Sequence, residues 1–108
     1  MGFVERMRAK AAAERWVANV RFPGISVEAA NGARKALVGT FVHGWESFSE
    51  SPFDVKTEFE SFSAKFLASL PEEGRNHPKL EQTLRGLEGA FRAGWSAAMT
   101  RTFGVVRL

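Results

Sequence analysis

The sequence predicts an all-α domain with a four-helix, bundle-like architecture. Three observations carry that expectation. Apolar residues recur three and four positions apart through most of the chain, the period of one helical face. Proline and glycine clusters cut the chain into four such stretches. No stretch alternates apolar and polar residues long enough to make a strand. A length of 108 residues suits one domain, so 1–108 is read as a single helical unit with a short tail over 104–108.

The first helix is expected over residues 2–19. Ala9, Ala11, Ala12 and Ala13 favour helix, and Phe22-Pro23-Gly24 stops it. Ser26 stands where an N-cap belongs, and Glu28 falls in the first turn, where the helix dipole favours an acid. The second helix then runs to about residue 49, with Val27, Ala30, Leu37, Val38, Phe41, Trp45 and Phe48 as its apolar stripe. Ser51-Pro52 is expected to open the third helix, whose stripe is Val55, Phe59, Phe62, Phe66 and Leu70. Pro71-Glu72-Glu73-Gly74 ends it, and Asn76-His77-Pro78 starts the fourth. There Leu80, Leu84, Leu87, Phe91, Trp95 and Ala98 share one face, while Glu81, Arg85, Glu88 and Arg92 pair at four-residue spacing on another. Gly104 is the expected stop. Short connections favour antiparallel neighbours, hence a bundle.

A second pattern has a period of fifty. Gly39-Thr40-Phe41-Val42-His43-Gly44-Trp45 recurs as Gly89-Ala90-Phe91-Arg92-Ala93-Gly94-Trp95, and Leu37 falls over Leu87, Gly24 over Gly74 and Ser26 over Asn76. This suggests two related αα-hairpins, residues 1–50 and 51–103, that bury their apolar faces against each other. Gly39, Gly44, Gly89 and Gly94 each cost about 0.5–1 kcal/mol against alanine inside a helix. That cost suggests close approach of backbone or ring. The stretch Glu88–Ala98 also resembles an A-F-x-A-G-W-x-A-A segment met in small phage and mobile-element proteins; the resemblance implies an origin of that type and no chemistry.

Composition narrows the function classes. Ten Phe and three Trp should dominate the core, since each ring buries roughly 150–250 Å². Cysteine is absent, which excludes disulfides and thiolate chemistry and suits a reducing, cytoplasmic setting. No apolar run approaches the length of a membrane span, and the charged N-terminal stretch does not read as a signal peptide. The net charge of +3 is modest, but residues 6–21 are basic and residues 46–60 acidic.

Chemistry-bearing patterns are scarce. His43 and His77 are the only histidines, and neither has metal-ligand spacing with other donors. The serines read as caps and polar faces, Glu58 and Glu60 diverge around a helix, and the glycines match no phosphate-binding loop. No catalytic, cofactor or metal site is therefore expected, and the chain reads as a non-enzymatic binding protein such as an adaptor, assembly factor or inhibitor. Phe3, Trp16, Phe22, Phe53 and Phe103 lie off the stripes or near helix ends, making them candidates for a protein interface or for self-association into a homo-oligomer. The alternative is nucleic-acid binding through Arg6, Arg8, Lys10, Arg15 and Arg21, with Lys35 and Arg34 nearby. At 100° per residue these cations spread around the first helix instead of forming one stripe.

Overall fold

The structure is a computed structural model, and it describes residues 2–52 and 54–104. Five helices follow one another: α1 (Phe3–Val17), α2 (Val27–Glu50), α3 (Val55–Ser69), a single turn α4 (Glu72–Arg75) and α5 (Leu80–Phe103). Among the described residues there is no strand. The expected all-α, bundle-like class is what forms, with one extra turn. Phe53 and residues 105–108 of the expected tail lie outside the described residues.

Local chemistry explains the ends. Ser26 caps α2 as expected, its hydroxyl accepting the Ala29 N–H at 3.1 Å. Ser51 does not open α3, because its N–H closes α2 on the Ser47 carbonyl at 2.8 Å. Asp54 caps α3 instead, accepting from the Lys56 N–H at 3.1 Å and from the Thr57 hydroxyl at 2.7 Å. The Thr57 hydroxyl, ahead of the weaker backbone donors, holds the Asp54 carboxyl below its ordinary value. Asn76 does not cap the last long helix. The α4 turn takes up its N–H on Glu72, and His77 Nδ1 accepts the Lys79 N–H at 3.1 Å just before α5. Gly104 stops α5 with φ of 76°, a conformation glycine adopts without strain.

The core is built around α2 and α5. Phe41, Trp45, Phe91 and Trp95 are all buried, with Phe91 fully enclosed. The N-terminal halves of the two helices meet through Leu37, Leu87 and Ala90; further along, Phe48, Trp95 and Ala98 share the larger cluster. The central pair therefore runs in the same direction. The consecutive helices α1 and α2 run antiparallel, as the short connection between them suggests, with Glu5 and Arg6 against Trp45 and Glu46 and Val17 near Leu37; α2 and α5 are not consecutive and run parallel. What brings them close is glycine. A methyl on Gly44 would lie 2.8 Å from the Phe91 carbonyl carbon, and one on Gly94 would lie 2.8 Å from that of Phe41. Gly39 and Gly89, grouped with them by sequence, meet nothing and play no such part.

The outer helices flank this pair, α1 and α3 each touching both α2 and α5. They do so with different side chains at equivalent places. Ala9 and Ala13 of α1 are fully buried, so α1 lies close to α2. Fifty residues on, α3 presents Phe59, which stands edge-on to the Phe91 ring at 5.5 Å, with Phe62 tilted against the same ring at 5.5 Å. No residue of α3 is fully buried. Val27, expected on the apolar stripe of α2, lies at the helix start and is exposed.

Candidate functional site

Two surface features converge at one end of the bundle. The first is apolar. Phe3 is 78% exposed and Phe103 is 70% exposed, with Val4, Met7 and Met99 also open. Phe3 and Met7 are four apart on α1, and Met99 and Phe103 are four apart on α5, so each pair shares a helix face. A partly buried polar link holds the two helix ends together. The Trp45 indole N–H donates to one Glu5 carboxylate oxygen at 2.8 Å, and Arg101 faces the other at 3.7 Å. Glu5 is two residues from Phe3 and Arg101 two from Phe103, which brings both exposed rings to the same end.

The second feature is a groove of about 680 Å³ between α1 and α5. Arg8, Ala11, Ala12 and Arg15 form one wall. Ser96, Ala97, Thr100 and Arg101 form the other, with Trp45 between them. No carboxylate lines it. Among the described residues neither Arg8 nor Arg15 pairs with an acid. Seven residues separate them, so they sit two turns apart on one face, about 10.5 Å along the helix.

A groove at the equivalent place in the second half has the opposite character. It lies between α2 and α3, encloses about 420 Å³, and carries Glu46, Glu50 and Glu58. Glu58 stands fifty residues after Arg8, and Lys65 fifty after Arg15. His43 also lines it, its ring 5.3 Å from that of Phe62. The backbone plan is shared, and the side chains set the charge.

The remaining candidates divide by where the fold places them. Phe3 and Phe103 are largely exposed, Phe103 with one edge against the buried Phe48 ring at 6.0 Å. Trp16 is half-buried, its ring 5.9 Å from Phe41. Phe22 is half-buried beneath the Arg34 guanidinium, 5.0 Å from the ring centre. Both pack inward. Phe53 lies outside the described residues. Of the basic candidates, Arg6 faces Glu46 at 3.5 Å, Arg8 and Arg15 share the groove, and Lys10, Arg21 and Lys35 are exposed elsewhere. Sequence reasoning missed Arg101 and Glu5. Each is an ordinary charged residue on a helix, and only the antiparallel packing of α1 on α5 gives it a role.

Comparison of the chain with models of protein families, with curated proteins and with solved structures finds no match.

Proposed function

We propose that this protein is a small, non-enzymatic binding module that engages a protein partner through the end of the bundle carrying Phe3 and Phe103. The observation that supports this is their exposure at one shared end, alongside Val4, Met7 and Met99. Leaving a phenyl ring in water forgoes about 1.5–3 kcal/mol that burial would supply. Exposed large apolar side chains gathered at one end mark interaction sites. Adaptor, assembly factor and inhibitor are the roles such a surface serves. The lack of cysteine suits a reducing setting such as the cytoplasm, and no helix among the described residues is long and apolar enough to cross a membrane.

Nucleic-acid binding through α1 has less support. Arg6 is tied to Glu46, and Lys10 is two residues from Arg8, on a different face. The remaining cations do not form a continuous stripe. The test is affinity capture from the native host, with and without nuclease, using the intact chain and a Phe3→Ser/Phe103→Ser variant. A protein that survives nuclease and is lost with the variant supports the reading. Recovery that nuclease abolishes, or that the variant leaves unchanged, overturns it.

A further inference from the structure

We infer that the groove between α1 and α5 is the docking site for an acidic, amphipathic helix of the partner protein. This deepens the binding reading above and rests on it. Three observations carry it. First, Arg8 and Arg15 rim the groove without an acid partner among the described residues, while Arg101 on the facing wall is tied to Glu5, so the α1 wall is electropositive although the whole chain is nearly balanced. Arginine also presents a planar fork that suits carboxylates. Second, Ala11, Ala12 and Ala97 leave the walls low, which lets a third helix approach as it would in a bundle. Third, exposed Val4 stands four residues before Arg8 on the same face of α1, so the groove wall continues into apolar surface at that end.

The spacing selects a helix. Arg8 and Arg15 are about 10.5 Å apart along α1, and acidic residues seven apart on another helix span the same rise. Such a helix would set its carboxylates on the two arginines and its apolar residues on Val4, Ala11, Ala12 and Ala97, the usual pattern of helix-in-groove recognition. A nucleic-acid strand fits less well. Strand-binding grooves offer exposed aromatic faces on which bases stack, and the one ring in this groove, Trp45, is 3% exposed. The acidic groove between α2 and α3 supplies an internal control, with the same framework and the opposite charge.

The experiment uses fluorescence anisotropy with the full chain and three labelled probes. These are a helical peptide of about 16 residues with glutamates seven apart and leucines between them, the same peptide with lysine for glutamate, and a short oligothymidylate. The expected result is that only the acidic peptide binds, that binding weakens as salt rises, and that Arg8→Ala/Arg15→Ala weakens it at least tenfold. Lys65→Ala, in the acidic groove, should leave it unchanged. Circular dichroism confirms that these exposed changes preserve the helices. No binding of the acidic peptide, binding indifferent to the arginines, or preference for the oligothymidylate overturns the inference. So does a dimer of the protein alone that the arginine variant dissolves, which would make the occupant a second copy. A captured partner that is lost with the Phe3/Phe103 variant but kept by the arginine variant would sink the groove inference and leave the proposed function standing.

Discussion

Gly44 lies against the backbone carbonyl of Phe91, and the reverse contact, Gly94 against Phe41, repeats it across the central pair. Alanine at either glycine would drive a methyl group into a rigid peptide unit, which cannot give way as a side chain can. Gly44→Ala and Gly94→Ala should each cost about 3 kcal/mol, the upper range for overpacking. Gly39→Ala meets open space and should stabilise by about 0.5–1 kcal/mol through helix propensity. Urea unfolding of the three variants checks the contrast. Equal effects at Gly39 and Gly44 would refute the close crossing.

The Glu5 carboxylate accepts the Trp45 indole N–H and faces Arg101. Glu5→Ala should leave the indole donor without its partner and destabilise by about 1–3 kcal/mol. Glu5→Gln keeps an acceptor oxygen and should recover part of the loss. Tryptophan emission should change in the alanine variant, and denaturant melts give the stability.

The two classes of aromatic residue should respond differently to truncation. Phe91 is fully enclosed, and Phe91→Ala should cost about 3–5 kcal/mol. Phe3→Ser removes an exposed ring and should stay within about 0.5 kcal/mol of the parent. Thermal melts of the two proteins decide this, and a large loss at Phe3 would show that its ring packs inward.

Asp54 gives a pH dependence of known sign. The Thr57 hydroxyl lowers its carboxyl below the ordinary value, so the unfolded chain binds this proton more readily than the folded one. The group therefore stabilises the fold above its ordinary pKa, and that contribution disappears as pH falls through the lowered one. Thr57→Val should raise the Asp54 pKa toward its ordinary value, read by NMR titration of the carboxyl carbon. It should also flatten the acid limb of the stability curve, and an unchanged titration would dismiss the hydroxyl as the cause.

Much of this protein was legible in its residues taken in order. The helical period of Phe41, Trp45, Leu87, Phe91 and Trp95 located α2, α5 and their buried faces, because a side chain's angle on a helix follows from its position alone. The offset of fifty anticipated that Phe41 and Phe91, Gly44 and Gly94, and Trp45 and Trp95 hold equivalent places in the core. Ser26 and Gly104 marked ends whose chemistry is local. Only the packed chain decided which glycines matter, since Gly39 and Gly44 look alike until the neighbouring backbone arrives. It also turned Trp16 and Phe22 inward, left Phe3 and Phe103 in water, and gathered Arg8, Arg15 and Arg101 around one groove. The dividing line is range: periodicity and capping act over a few residues, whereas exposure and charge clustering depend on partners up to some ninety positions away, whose arrival no local spacing encodes.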